Sequence, residues 1–93
     1  MIIGSLWIDL HINGAVSLKD KRRIVKSLKD RLKNKFNISI AEIGSLDHWQ
    51  RAELGIACVG NDRMFIDRTL NLVVQRIVSD PQVMIIDHQM EIV

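Results

Sequence analysis

Ninety-three residues suffice for one modest hydrophobic core and not for two, so residues 1–93 are expected to form a single domain. With 47% apolar and 26% charged residues and a single proline, the composition excludes a disordered chain; no apolar run reaches bilayer length and the opening Met1–Trp7 lacks a charged n-region, which argues against membrane insertion or export. Cys58 stands alone, excluding an intramolecular disulfide or a thiolate metal cluster and fitting a reducing cytoplasm, and the net charge of +2 conceals an asymmetry: from Ser17 to Phe36 nine Lys/Arg face only Asp20 and Asp30, whereas elsewhere four face nine acids.

Taken in chain order, Leu6, Ile8, Leu10 and Ile12 alternate with Ser5, Trp7, Asp9 and His11, the period-two pattern of a half-buried strand over residues 2–12. Asn13-Gly14-Ala15 breaks it. Ser17 occupies an N-cap position with Asp20 three residues on, and Ile24, Leu28, Leu32 and Phe36 at intervals of four, with Val25 beside them, predict an amphipathic helix from about Leu18 to Asn34–Asn37. Residues 38–43 read as a second strand in which Glu42 needs a bulge or an outward edge position. A polar connection leads to Leu54–Gly60, a third strand of small and β-branched residues. Asn61 or Asp62 caps a second helix whose buried face is Ile66, Leu70, Val73, Val74 and Ile77; Ser79-Asp80-Pro81 stops it, and a fourth strand runs from about Gln82 to Glu91.

The order strand–helix–strand–strand–helix–strand with right-handed crossovers predicts an α+β, ferredoxin-like βαββαβ sandwich: a four-stranded antiparallel sheet of order 4-1-3-2 with both helices on one face and the other face uncovered.

Ser17–Arg23, Arg31–Ala41, Trp49–Gly55, Asn61–Arg63 and Ser79–Pro81 together resemble the bacterial YlxP-like family over nearly the whole chain. Gly44–His48 looks like that family's variable part. The resemblance implies a ferredoxin-like domain without established activity, encoded in many bacteria near translation and ribosome-maturation genes. It supplies no catalytic residues to transfer, and its link to RNA or a ribosomal precursor is associational.

At 100° per residue, Lys19, Arg22, Lys26, Lys29 and Lys33 fall in one helical sector of roughly 80° and form a line about 21 Å long, comparable to several phosphate spacings. A face built for solubility alone would interleave Glu at i,i+4, and here only Asp30 borders the line. An anionic partner, RNA by family context, is therefore the expectation, set against a merely solvated helix face.

On the open sheet face, antiparallel pairing of strands one and three is expected to bring Asp9 and His11 near Arg51 and Glu53, and Trp7 near Ala57 and Val59. With Gly55, Ala57 and Val59 in place of stacking aromatics, that face lacks the signature of an RNA-recognition motif. Trp7, Ala57 and Val59, flanked by Trp49, instead suggest burial against a second copy or another protein, with both indoles shielded. The alternative is that Trp7 folds over its own sheet and Trp49 closes the end of the core.

No phosphate-binding loop or nucleophile elbow is present, and His11, His48 and His88 lack metal-ligand spacing, so neither a metal nor a cofactor is expected. A general base at His11, supported by Asp9, Arg51 and Glu53, is the strongest enzymatic reading, but cross-strand ion pairing explains the same residues without catalysis. A small-molecule-sensing reading rests on Asn13-Gly14-Ala15, the first strand–helix loop that ACT-type regulatory domains use; a turn requirement for glycine explains it equally.

Overall fold

The computed structural model describes residues 1–93. Its elements are β1 (Ile2–Ile12), α1 (Leu18–Lys35), β2 (Ser39–Gly44), β3 (Arg51–Gly60), α2 (Arg63–Val78) and β4 (Val83–Ile92). All pairings are antiparallel and the sheet order is β2-β3-β1-β4, the expected order read from the other edge. No helix is long and apolar enough to cross a membrane.

Alternation builds the core. Leu6, Ile8, Leu10 and Ile12 on β1, and Ala52, Leu54, Ile56 and Cys58 on β3, bury one sheet face beneath Ile24, Val25, Leu28 and Leu32 of α1 and Ile66, Leu70, Val73 and Ile77 of α2. Both helix starts are capped. The Ser17 hydroxyl accepts from the Asp20 amide at 3.0 Å while the Asp20 carboxylate accepts from the Val16 amide at 3.3 Å, and the Asp62 carboxylate accepts from the Met64 amide at 3.0 Å.

β3 starts three residues earlier than Leu54 because Arg51, Ala52 and Glu53 pair with His11, Leu10 and Asp9 of the long β1. Those residues read as a polar connection because two of the three side chains lie on the open face. The register shifts between Glu42 and Gly44, confirming a bulge in β2, and a second shift interrupts β1–β4 pairing beside Asp9. Glu42 nevertheless faces the helices, opposite Leu54. His88 pairs with Ile8 in register, on the helix side of the sheet, and is solvent-exposed.

Gly14 adopts φ 75°, a left-handed turn conformation that glycine takes without steric cost. Its neighbours are fastened: Asn13 Nδ2 donates to the Pro81 carbonyl at 3.1 Å, and buried Ala15 offers its carbonyl to Gln50 Nε2 at 3.3 Å. The β1–α1 connection thus has a structural reason for its sequence.

Candidate nucleic-acid interface

The cations of α1 divide into those with a carboxylate partner and those without. Arg23 lies 3.6 Å from Asp20, Lys26 is 2.8 Å from Asp30, and Arg31 is 2.7 Å from the buried Asp80 in the α2–β4 turn. Lys21 turns inward to Glu42. Lys19, Arg22, Lys29 and Lys33 make no ion pair. Of the five residues in the predicted basic line, four therefore have no direct carboxylate contact, Lys29 and Lys33 feel the charge of Asp30 only at a distance, and Lys26 is paired with it one turn away. The hydrogen bond and charge of Asp30 hold the Lys26 ammonium above its ordinary value, and Lys26 holds the Asp30 carboxyl below its own.

The line occupies one flank of α1. Arg31 reaches Asp80 at the end of α2, and Lys35 lines a groove with Gln75 and Arg76 of α2, so those two mark the flank that meets the second helix. Lys19, Arg22, Lys26, Lys29 and Lys33 lie on the other flank, on the β2 side of the molecule.

Lys21 is the functional-looking charge that sequence reasoning passed over. Its side chain has no solvent exposure, and Nζ donates to Glu42 Oε2 at 2.8 Å and to the carbonyls of Ser45, Leu46 and Arg51 at 2.9, 3.0 and 3.3 Å. The signal was available: Lys21 stands three and four residues before Ile24 and Val25, on the apolar stripe and not on the basic line. Its work is structural, pinning the β2–β3 connection to α1.

Of the polar residues predicted to cluster on the open sheet, Asp9, Arg51 and Glu53 come together, while His11 faces Arg51 in register and makes no side-chain hydrogen bond. Arg51 grips Asp9 through Nε at 3.0 Å and Nη2 at 2.6 Å, a bidentate pair diagonal to the register in which Asp9 faces Glu53 and His11 faces Arg51. Asp9 raises the pKa of Arg51 further, with Glu53 adding to it. Glu53 accepts from Trp7 Nε1 at 3.2 Å and from Ser45 Oγ at 2.8 Å. Each carboxylate is thus already engaged, and the arrangement is an ion-pair and hydrogen-bond network.

Trp7 faces Gly55 across the strands and shares an apolar groove of ≈ 410 Å³ with Ala57, while Val59 lies farther along, opposite Ile3. The groove floor is Gly55, Ala41 and Ala57, and the Ile43 side chain leans over Gly55. Trp49 does not join it. That indole is 55% exposed in the β2–β3 connection, so only Trp7 is partly shielded within the single chain.

Fold and surface together define a small ferredoxin-like α+β domain with a one-sided basic helix and an open antiparallel sheet. A de novo designed protein with ferredoxin fold, solved by solution NMR, superposes with a TM-score of 0.61 at 17% identity, covering 98% of this chain and 86% of the other, which shows the fold alone. The chain belongs to the family described as Protein of unknown function (DUF503), which matches residues 3–90. It is 42% identical over 82 residues, 88% of this chain and 89% of the relative, to the Uncharacterized protein YlxP of Bacillus subtilis (strain 168), which bears out the resemblance read from its motifs.

Proposed function

We propose that this domain binds RNA, a ribosomal precursor being the class of target, through phosphate contacts made by Lys19, Arg22, Lys29 and Lys33. One observation carries the reading: four cations without carboxylate partners share one flank of a regular helix whose other flank is spent on packing and ion pairs. Like charges at helical spacing cost a few tenths of a kcal/mol per pair, about 0.2–0.5, which an anionic partner repays and solubility alone does not require. The preference for RNA over DNA comes from the family's genomic company, and nothing on the flank supports sequence-specific reading.

The test is binding of labelled structured ribosomal RNA fragments across a salt series. The expected slope of log affinity on log salt corresponds to about three to four neutralised phosphates, and Lys29→Glu/Lys33→Glu abolishes it. These surface exchanges should leave folding within about 0.5 kcal/mol of wild type. Failure of the wild-type protein to bind at low salt ends this reading.

The groove on the open sheet favours a second reading, homodimerisation. A two-fold axis along the strands between β1 and β3 brings Trp7 of each copy over Gly55 of the other, against the Ile43 side chain that leans across it. At about 3.3 Å per residue and 4.8 Å per strand the face offers about 600 Å² per copy, near the lower limit of about 1,200 Å² in total for a stable interface. Asp9, Glu53, Asp87 and Glu91 share the face with Arg51, so screening should tighten the dimer as salt rises, opposite to RNA binding. Sedimentation should show a dimer that Ala57→Glu dissociates; a monomer at all accessible concentrations removes the reading.

A further inference from the structure

A trough floored by the core residues Cys58 and Ile66 runs between the C-terminal end of α1 and α2. Its first lobe, ≈ 240 Å³, is walled by Phe36, Phe65 and Leu72 with Thr69 beside them. A second lobe of ≈ 300 Å³ shares Lys35, Phe36 and Leu72 with the first and adds Gln75, Arg76 and Ser79. These volumes sit at or below the roughly 300 Å³ floor of small-molecule pockets, a size for one planar ring system rather than a whole cofactor.

Three observations give the trough a chemical character. Both phenylalanines of the chain line it, and Phe65 is left 58% exposed on the first turn of α2. Lys35 and Arg76 flank it without ion pairs, and no carboxylate lines either lobe. The backbone turns extended at Phe36, the C-cap of α1, only three residues after Lys33, the last cation of the basic flank. The larger concavity on the outer side of α2, ≈ 590 Å³, differs on each point: it holds Asp67 between Arg63 and Arg68 and contains no aromatic residue.

We infer that the trough is a binding site for an unpaired nucleobase of single-stranded RNA, stacked on Phe65 and Phe36 with the adjoining phosphates on Lys35 and Arg76. The inference rests on the RNA reading of the α1 flank and extends it: a strand leaving Lys33 crosses the end of the helix and drops a base between the two rings. Stacking on an aromatic face is tolerant of base identity, so the site selects unpaired over paired RNA and not one sequence over another.

The experiment compares a short single-stranded oligouridine with a strand of equal length and charge made of abasic residues, both fluorescently labelled. Wild type should prefer the base-bearing strand by about tenfold, the scale of one base–aromatic stack. Phe65→Leu, at an exposed position that keeps the apolar surface without the π face, should erase that preference and leave abasic affinity unchanged. Lys29→Glu/Lys33→Glu should weaken both strands together. Equal wild-type affinity for the two strands, or a preference that survives Phe65→Leu, overturns the base site while the flank reading stands. If neither strand binds at low salt the flank reading falls, and titration with uridine monophosphate decides the trough separately: saturating amide NMR shifts at Phe65, Thr69 and Leu72 support it, and their absence overturns it.

Discussion

The Lys21 ammonium, sealed from solvent beneath the β2–β3 connection, sits 2.8 Å from Glu42 Oε2 on the bulged end of β2. Three carbonyls complete its shell, so the cation is buried with every donor direction answered and the carboxylate is nearly as enclosed. Breaking such a pair from one side leaves an uncompensated buried charge, which costs about 3–5 kcal/mol, whereas replacing both partners with apolar groups can be close to neutral. Lys21→Ala is therefore expected to lower the unfolding free energy in urea by about that amount, and Lys21→Met/Glu42→Leu to recover only the part due to the unpaired carboxylate, because the carbonyls of Ser45, Leu46 and Arg51 still lack their donor. Faster amide exchange across residues 45–50 in Lys21→Ala would locate the loss; a stability change below about 1 kcal/mol would show that the pair contributes no more than an exposed one.

Gly4 is required by the approach of α2 to β1. A Cβ there would collide with Ile66 Cγ2 and stand 2.8 Å from Leu70 Cδ1, and both of those side chains belong to the packed core. Overpacking of this kind costs about 1–3 kcal/mol. Gly4→Ala should lower the urea midpoint with an unchanged m-value, and pairing it with Ile66→Ala, which removes the clashing Cγ2, should cost less than the sum of the two single losses. Additive losses in the double variant would mean that strain is relieved elsewhere.

The periodicities that made the fold legible are those set by burial: Leu6 to Ile12 at period two, Ile24 to Leu32 at helical spacing, and the caps at Ser17 and Asp62. The basic line was equally legible because it follows the same wheel. The pairing within it, Lys26–Asp30, is visible at i,i+4, whereas the Arg31–Asp80 bond on the other flank spans forty-nine positions and depends on how the helices cross. Lys21 was missed for a related reason: a charge on an apolar stripe is meaningful only once Glu42 is known to face inward, and the β2 bulge that fixes its facing is a register property. The polar network of Asp9, Arg51 and Glu53 followed directly from strand parity, whereas the exposure of Trp49 turned on a connection with no periodic signal.

Cys58 lies in the core layer of β3, 6% exposed, and burial pushes its thiol pKa up. The folded state therefore favours the protonated thiol. Because the unfolded chain gives up that proton first, the contribution to stability is full below the ordinary thiol value and falls as pH rises through it toward the folded one. Iodoacetamide should label Cys58 slowly in native buffer and rapidly in urea, and Cys58→Ala, which has no titrating group, should flatten the alkaline decline in stability. Rapid native labelling would place the thiol at the surface.

Asp30 is the one carboxylate that borders the basic flank, and its removal should strengthen RNA binding. At neutral pH its carboxyl, held below the usual value by the Lys26 hydrogen bond, is ionised and occupies the Lys26 ammonium at 2.8 Å. The pair is present above the ordinary carboxylate range and is lost as pH falls through the lowered Asp30 value, so no release occurs near neutrality. Asp30→Asn frees Lys26 at every pH. Each added phosphate contact steepens the dependence of log affinity on log salt by about 0.7–0.9, so the variant should bind structured RNA more tightly at low salt with a slope larger by about that amount. Lys26→Gln in the Asp30→Asn background should return the slope to the wild-type value. A slope unchanged by Asp30→Asn would mean that Lys26 lies outside the RNA footprint, leaving Lys19, Arg22, Lys29 and Lys33 to account for the binding.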